Sequence, residues 1–486
     1  MTMTPHVANT FLFYDLETFG SDPRRTRIAQ FAAIRTDEAL EIVEEPVSFF
    51  VQPADDLLPS PGATMVTGIT PQHARRNGVI EAEAMARISE EMSRPGTCSV
   101  GYNSLRFDDE FMRFGFWRNF LDPYEREWRG GNSRWDLLDV MRLAHALRPD
   151  GITWRMREDG GGTSFKLEHL AEDNGLREGM AHEALSDVRA LIGLARKLRD
   201  AQPKLWRYAL GLRDKRTILQ MLPDHDARPL LHVSQRFPAS RMCAAPVLPL
   251  ARHPLIDKRV IVFDLTQDVE PLLALDAEAI AARLFVARDA LPEGAERIAL
   301  KEVHANRCPA LVEWAHLRDE ELDRLGIDRA LVESRVDTLK RHALALAEKI
   351  RRVYATAPDH AAEDADGALY GRFVPESDRR LLAQVRATPP GRLGGDAFAF
   401  RDPRLTELLF RYRARNWPDT LDLSEQSRWY DYRRARLDQP GLGELDLPAY
   451  RAEVARLRET HAADGERLAL LDALTAWGDR LEAAVA

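Results

Sequence analysis

The chain has few cysteines, no long apolar run and no excess of positive charge. Cys98, Cys243 and Cys308 lie far apart and form no Cys-x-x-Cys pair, which argues against a disulfide framework and a zinc site. No apolar run approaches the roughly 18 residues that a membrane span needs. The first ten residues lack the basic start and the apolar stretch of a signal peptide. We therefore expect a cytoplasmic protein with no membrane partner.

The net charge of −9 gives the whole molecule no general attraction for nucleic acid. The distribution of charge matters more than the total, because an acidic protein can still hold a basic groove. With 486 residues, 45% hydrophobic and 30% charged, the composition is typical of a globular protein of two to four domains.

The pattern along the chain predicts several domains. Strand and helix signals alternate over residues 1–202, which indicates an α/β domain, and Pro203 marks its expected end. Short β-rich runs with many prolines follow, and we expect residues 203–355 to form a small β domain with flanking helices, a barrel rather than a sandwich. Residues 356–368 are acidic and unpatterned and are typical of a linker, and 369–486 are helical.

The stretch FLFYDLETFG, residues 11–20, places two carboxylates in an apolar strand. Side chains alternate along a strand, so Asp15 and Glu17 point to the same face. Two like charges side by side repel and are costly to desolvate unless a cation lies between them. Acid-x-acid pairs also arise by chance in a chain this acidic. Further candidate ligands elsewhere in the sequence must decide between a chance pair and a metal site.

Two later stretches offer such partners. In GYNSLRFDDEF a strand ends near Asn103 and a helix begins near Asp108, which is either a ligand or a plain helix N-cap. Asp109 is a rival ligand, but consecutive helical residues diverge, so only one of the two faces a shared site. In HEALSDV, His182 and Asp187 can reach one site if His182 precedes the helix that contains Asp187.

Taken in this order, FYDLETFG, YNSLRFDD and HEALSDV resemble the three motifs of the DEDDh 3′-to-5′ exonucleases, the proofreading-type superfamily. Further stretches, among them TGITPQ, NSRWDLLDVMR and RARNWPDTL, resemble the bacterial exodeoxyribonuclease I family over nearly the whole chain. The resemblance implies an α/β ribonuclease H-like nuclease domain, an SH3-like β-barrel domain and an all-α C-terminal domain. The last two would arch over single-stranded DNA.

The catalytic chemistry that this implies is metal-dependent hydrolysis. Oxygen ligands suit Mg²⁺, or Mn²⁺ as a substitute, and two ions can stabilise the attacking and the leaving oxygen. By resemblance His182 is the general base, and the product is a 5′-mononucleotide from the 3′ end of single-stranded DNA, in repair and recombination. The resemblance gives the four expected metal ligands as Asp15, Glu17, Asp108 and Asp187.

Arginines and aromatic residues interleave over residues 113–142, a texture that suits the stacked bases and phosphates of a single strand. The alternative is that some of these aromatic residues belong to the hydrophobic core, and this interpretation is favoured for Phe120 and Trp135. Lys166 stands where the family has an arginine near the scissile phosphate, which keeps the charge but loses the forked geometry. The other substrate contacts that the resemblance implies are Glu17, Arg113, Tyr124, Trp128 and Arg142.

Two further surfaces are open to two interpretations each. Residues 411–440 repeat the basic and aromatic texture, either as an amphipathic helix or, as the resemblance favours, on the DNA side of the arch. By resemblance Arg148, Tyr208 and Arg341 bind the acidic C-terminal tail of single-strand DNA-binding protein, and surface salt bridges are the alternative. We expect a monomer.

Two other functions compete with this hypothesis. One is an RNA-directed 3′-to-5′ exonuclease of the same superfamily, against which the long extension after residue 203 counts. The other is a nucleic-acid scaffold with an inactive nuclease domain, against which the complete set of catalytic residues counts.

Overall fold

The computed structural model describes residues 9–486 except 178, 180–182, 224–225, 287–290, 292–294, 356–362 and 396. Within that described part, no helix is long and apolar enough to cross a membrane. The chain divides into two compact units. The first comprises Met1–Ser133, Arg177–Ile192 and His360–Ala486, and the second comprises Arg134–Leu176 and Gly193–Asp359.

The described strands fall into two groups along the chain. They are β1 (Thr10–Thr18), β2 (Ile28–Thr36), β3 (Val47–Phe50), β4 (Thr97–Gly101), β5 (Ser133–Asp136), β6 (Leu230–Val233), β7 (Ala244–Arg252), β8 (Arg259–Asp264), β9 (Leu300–His304) and β10 (Ala310–Glu313).

Helices surround both groups of strands and fill the C-terminal part. They are α1 (Pro61–Thr67), α2 (Pro71–Asn77), α3 (Glu81–Met92), α4 (Asp108–Arg118), α5 (Leu137–Leu147), α6 (Leu167–Asp173), α7 (Ala184–Ala201), α8 (Pro203–Gly211), α9 (Lys215–Met221), α10 (Glu270–Ala274), α11 (Ala277–Leu284), α12 (Asp319–Leu325), α13 (Arg329–Arg341), α14 (Ala343–Val353), α15 (Glu376–Ala387), α16 (Pro403–Asn416), α17 (Leu423–Asp438), α18 (Leu447–Thr460) and α19 (Gly465–Ala483).

The first unit is built on a mixed sheet in which β1 is central. Strand β1 pairs antiparallel with β2 and parallel with β4, and β3 pairs antiparallel with β2. Strands β1 and β2 are buried on both faces, which is why each is a nearly continuous apolar run in the sequence. The β1–β2 register shifts between Glu17 and Thr18. Such bulges bend a strand and are common beside active sites.

Helices α3 and α4 cover one face of this sheet. Leu12, Tyr14 and Leu16 of β1 pack there in a cluster with Met85 and Phe111. The alternation of side chains along β1 therefore sends these three residues into the core and leaves Asp15 and Glu17 on the opposite face. The metal candidates and the core thus share one strand.

A tight turn between β4 and α4 sets where α4 begins. A Cβ added to Gly101, the last residue of β4, would lie 2.4 Å from the Cβ of Ser104, so a larger residue would push the turn apart. Helix α4 starts at Asp108, and its N-cap is Phe107, with no side-chain capping bond. Asp108 is therefore the first helical residue and not the N-cap. This excludes the alternative in which Asp108 serves only to cap the helix.

Several arginines of the C-terminal helices of the first unit are buried in ion pairs. Arg415 of α16 donates to Asp56 at 2.8 Å and to Asp366 at 2.5 Å, and all three side chains are at most 3% exposed. Arg436 of α17 donates to the carbonyl oxygen of Asp56 at 2.8 Å, and Arg27, which directly precedes β2, donates to Asp366 at 3.0 Å. These contacts fasten the C-terminal helices to the sheet-bearing part of the unit.

This burial corrects one expectation from the sequence for part of a stretch. The basic texture of residues 411–440 favoured a DNA-facing surface, but the side chains of Arg411, Arg413, Arg415 and Arg436 are at most 6% exposed, whereas those of Arg428 and Arg434 are 53% and 63% exposed. The partners of the four buried arginines are carboxylates of the same unit, so these guanidinium groups are not available to phosphates. Asp366, from the acidic stretch that is typical of a linker, is itself 1% exposed and takes part in the network.

The second unit contains the expected small β domain. Its strands pair antiparallel in the order β10-β6-β7-β8-β9, and their inner side chains form an apolar core with α8 and α9. Two helices meet at Pro203, the expected end of the first domain: α7 ends at Ala201 and α8 begins at Pro203. Proline suits the first position of a helix and interrupts the interior of one, which explains the break.

Candidate metal centre and nucleic-acid surface

Three carboxylates of the first unit converge at the end of β1. Ligand oxygens of Asp15, Glu17 and Asp187 all lie within 4.8 Å of one another. Strand alternation supplies the first two, and Asp187 comes from the first turn of α7, which begins at Ala184. Glu17 is 7% exposed, so the cluster is largely withdrawn from water. Three of the four carboxylates expected as metal ligands therefore form a compact group of oxygens.

The electrostatics of this cluster call for a cation. Burial, followed by the charges of Asp187 and Asp108, raises the pKa of Glu17 from 4.5 to about 8. Burial and the charges of Asp108, Glu17 and Asp187 also raise the pKa of Asp15 well above its usual range. Asp108, which is 5% exposed, is therefore close enough to act on both.

An all-oxygen donor set of this kind fits a hard divalent cation such as Mg²⁺ or Mn²⁺. Asp15, Glu17 and Asp187 are close enough to share one ion, and Asp108 acts on the same site. A divalent cation would remove the repulsion that raises the two pKa values. His182, the expected general base, lies outside the described residues.

Asp108 and Asp109 diverge, as helix geometry predicts. Asp109 is 1% exposed and accepts hydrogen bonds from the Tyr14 hydroxyl at 2.8 Å and from Arg126 Nη2 at 2.5 Å. It is therefore tied to the core side of β1, away from the face that carries Asp15. The buried Tyr14, Asp109 and Arg126, which we call the support triad, hold the start of α4 against the strand of metal ligands.

Arg113 supports an aromatic side chain in this structure. Its guanidinium makes a forked pair with Glu127, at 2.8 and 3.1 Å, and a further bond of 2.8 Å to Glu110. The same group lies over the ring of Tyr124, 5.4 Å from its centroid. Arg113 is only 5% exposed. It thus orients Tyr124, and its charge is already matched by two carboxylates.

The aromatic residues of this segment divide between surface and core. Trp128 is 64% exposed, an unusual position for so large an apolar side chain. Phe120 and Trp135 are each 1% exposed, which confirms that they belong to the core. Trp128 is therefore the aromatic side chain of residues 113–142 best placed to stack on a base.

The second unit holds the other expected substrate contacts. Lys166 Nζ donates to Glu168 at 3.0 Å, and the Lys166 side chain is 68% exposed. Arg142 donates to Asp139 at 2.7 Å and lies over the ring of Phe165, 5.7 Å from its centroid. Lys166 is therefore accessible, and Arg142 is anchored by its neighbours.

The residues expected to bind a partner peptide also lie in the second unit. Arg148 pairs with Glu321, the Tyr208 hydroxyl donates to the carbonyl oxygen of Leu311 at 2.8 Å, and Arg341 donates to Thr338 Oγ1 at 3.1 Å. Each has an internal partner, and the peptide-binding role stays a prediction.

Sequence reasoning missed three side chains near the candidate metal centre. Tyr14 and Arg126 form the support triad with Asp109, and Arg177 donates from Nη1 to Asp187 Oδ1 at 2.6 Å. Tyr14 has a signal, because a polar aromatic next to Asp15 in a buried strand needs a hydrogen-bond partner. Arg126 and Arg177 have none, because neither belongs to a motif.

Models of three families cover the chain. The exonuclease family matches residues 12–195, the exonuclease I SH3-like domain matches 213–356, and the exonuclease I C-terminal domain matches 363–481. The fold classes expected for the three parts are confirmed by these matches.

Individual proteins are similar to this chain over nearly its whole length. The chain is 43% identical over 476 residues to exodeoxyribonuclease I of Escherichia coli K12, covering 97% of this chain and 98% of that protein. The crystal structure of E. coli exonuclease I in complex with a dA16 oligonucleotide superimposes with a TM-score of 0.93 at 43% identity, covering 97% and 100% of the two chains. A zinc-bound E. coli complex with single-stranded DNA gives a TM-score of 0.92 at 42% identity, covering 98% and 100%.

Proposed function

The chain belongs to the exonuclease I family, and we propose that it hydrolyses single-stranded DNA from the 3′ end to 5′-mononucleotides with two bound Mg²⁺ ions. The observation that carries the proposal is the group of three carboxylates within 4.8 Å, with Asp108 acting on it, at the motifs that define the nuclease. The relatives crystallised with oligonucleotides support DNA as the substrate.

The protein groups divide the work of catalysis between holding ions and moving a proton. Asp15, Glu17, Asp108 and Asp187 would hold the divalent cations, which supply charge stabilisation at the attacking and leaving oxygens. His182 would accept the proton of the attacking water, since an imidazole titrates near neutral pH. The burial of Glu17 keeps bulk water from competing for the ligand oxygens.

The first unit would grip the strand mainly through aromatic stacking. Trp128 offers an exposed face to a base, and Tyr124 is held beneath the guanidinium of Arg113. Stacking is tolerant of sequence because every base has a flat π face, which suits an enzyme that must move along any strand. Arg113 would thus act by positioning Tyr124.

The second unit would add charge to the grip. Lys166, with its exposed ammonium, would contact a phosphate near the bond to be cut, and Arg142 would hold the backbone further along. Arg148, Tyr208 and Arg341 would take the acidic tail of single-strand DNA-binding protein. The proposed domains are 1–202, 203–355, a linker at 356–368, and 369–486; family matches at 12–195, 213–356 and 363–481 support the order of the three domains.

The cellular setting forms part of the same proposal. The enzyme would act as a monomer in the cytoplasm, in DNA repair and recombination, as its resemblance to bacterial exodeoxyribonuclease I implies. Sedimentation at several protein concentrations tests the monomer, and a dimer mass independent of concentration would contradict it.

The function is tested by following the shortening of 5′-labelled single-stranded DNA, matched RNA and duplex DNA, with Mg²⁺, with Mn²⁺ and with EDTA. Asp15→Ala and His182→Ala are compared with Asp479→Ala, a control at an exposed carboxylate that pairs with Arg451 on the C-terminal helices. We expect metal-dependent shortening of single-stranded DNA from its 3′ end, lost in the first two variants and retained in the control.

The outcomes separate the competing functions. Tight DNA binding without cleavage would contradict an enzyme and leave a binding protein. Faster cleavage of RNA would keep the catalytic site and replace the substrate. Full activity of Asp15→Ala would show that hydrolysis takes place elsewhere.

A further inference from the structure

Arg177 contacts one of the expected metal ligands. Its Nη1 donates to Asp187 Oδ1 at 2.6 Å, and the two side chains are 17% and 13% exposed. Both residues belong to the first unit, ten positions apart, and Asp187 shares the carboxylate cluster with Asp15 and Glu17. A positively charged group therefore lies at a carboxylate that a divalent cation would need.

The bond to Asp187 is less complete than two forked arginine pairs of this unit. Arg113 forks onto Glu127 through two nitrogens, and Arg411 forks onto Asp364 at 2.6 and 2.8 Å. Arg177 makes one bond to Asp187, and its Nη2 is buried without a hydrogen-bond partner among the described residues. A guanidinium has five donors, so this pair leaves a buried donor unsatisfied.

An arginine and a divalent cation compete for the Asp187 carboxylate. The guanidinium keeps its charge at any working pH, so its attraction for the cluster is always present. In the absence of a divalent cation it offsets part of the repulsion among Asp15, Glu17 and Asp187. Once a cation is bound, the two positive groups repel each other.

We propose that Arg177 is an internal counter-ion of the metal site: it holds Asp187 until a divalent cation displaces it, and so sets the affinity of the site for metal. This rests on the proposed function, since it requires that the carboxylates bind a divalent cation. The coupling lies between two occupants of one carboxylate, and each weakens the other by the same factor.

The direct test is Mn²⁺ binding to the complete protein without DNA, followed by the paramagnetic resonance signal of free Mn²⁺. Arg177→Gln removes the competing charge, and we expect the dissociation constant for Mn²⁺ to fall about tenfold, within the range of typical couplings between ligands. Arg177→Lys keeps the charge and should lie between the wild type and Arg177→Gln. Arg451→Gln, which loses an exposed arginine paired with Asp479 and Glu482, is the matched control and should bind Mn²⁺ as the wild type does.

Thermal unfolding gives a second readout. Arg177→Gln should unfold at a lower temperature than the wild type in EDTA, because the cluster loses its counter-ion. It should gain more from saturating Mn²⁺ than the wild type gains. A purely structural arginine would lower the midpoint equally with and without Mn²⁺ and would not tighten Mn²⁺ binding.

The results distinguish this inference from the proposed function. Unchanged or weaker Mn²⁺ binding by Arg177→Gln, beside a wild type that binds and an Asp187→Asn variant that does not, would overturn the counter-ion alone. A wild type that binds no Mn²⁺, or an Asp187→Asn variant that binds as well as the wild type, would overturn the metal site and the counter-ion together.

Discussion

The crowding of carboxylates at the end of β1 predicts that Glu17→Gln stabilises the protein in the absence of metal. Burial and the charges of Asp187 and Asp108 raise the pKa of Glu17 from 4.5 to about 8. Glutamine has nearly the same shape and carries no charge, so it removes the cost of burying the carboxylate among other carboxylates. Loss of an expected metal ligand would thus make the fold more stable.

The size and the sign of the effect follow from linkage between protonation and folding. Between pH 4.5 and about 8 the folded protein holds a proton on Glu17 that the unfolded chain has released, so stability falls as pH rises through this interval. At about 1.4 kcal/mol per pH unit, the full loss of stability is about 5 kcal/mol, reached once the pH exceeds about 8. Near pH 6 only about 2 kcal/mol of this cost is present.

The assay is urea unfolding in EDTA, followed by tryptophan fluorescence, near pH 6 and near pH 9. We expect Glu17→Gln to be more stable than the wild type at both values and to gain more at the higher one. Glu459→Gln, at an exposed position of α18, is the matched control and should show no such trend. With saturating Mg²⁺ the order should reverse, because the wild type gains from the ion and the variant lacks a ligand.

Two results would refute this reasoning. A Glu17→Gln variant less stable than the wild type in EDTA near pH 9 would show that the carboxylate is stabilising without metal. A gain of the same size at both pH values would show that the repulsion of neighbouring carboxylates is not its cause.

Three further predictions concern the support triad, the buried ion pairs and the exposed tryptophan. Arg126→Met should lower the free energy of unfolding by about 3–5 kcal/mol, because it leaves the buried carboxylate of Asp109 without its charged partner. The control Arg129→Gln, at an exposed arginine, should change the free energy of unfolding little. Equal effects of the two variants in urea unfolding would contradict the role of the support triad. Burial would raise the pKa of Asp56, but its arginine neighbours lower it to about 2. Asp56→Asn should therefore cost at least about 2 kcal/mol at neutral pH, a difference that shrinks as pH falls from about 4 to 2; a constant difference in urea unfolding over that interval would refute it. Trp128→Ala should weaken binding of single-stranded DNA in EDTA by about 1–3 kcal/mol in fluorescence anisotropy, and unchanged affinity would exclude stacking.

Strand β1, which carries two of the expected metal ligands, shows what local sequence alone can predict. The period of two along β1 places Asp15 and Glu17 together whatever the rest of the fold does, because alternation is a property of extended backbone. The same period sends Tyr14 to the core, but its partners Asp109 and Arg126 lie 95 and 112 positions away. No local rule could have paired them.

The arginines of α16 show where composition misleads. A basic and aromatic stretch has the same appearance in sequence whether it faces DNA or a buried carboxylate. Arg415 lies 359 positions from Asp56 and 49 positions from Asp366, and only the folded chain brings the three charges together. Its burial among carboxylates, and with it the loss of a DNA contact, is a consequence of tertiary packing.

The sequence by itself determined the succession of α/β, β-rich and helical parts and the faces of β1, because periodicity is written in consecutive residues, and the resemblance of its motifs gave the four expected metal ligands. Only the tertiary structure decided that Tyr14 and Arg126 hold Asp109 in the core and that Arg177 holds Asp187. Those outcomes depend on which distant charges share a buried space, where an unpaired ion is costly and a close partner changes its role.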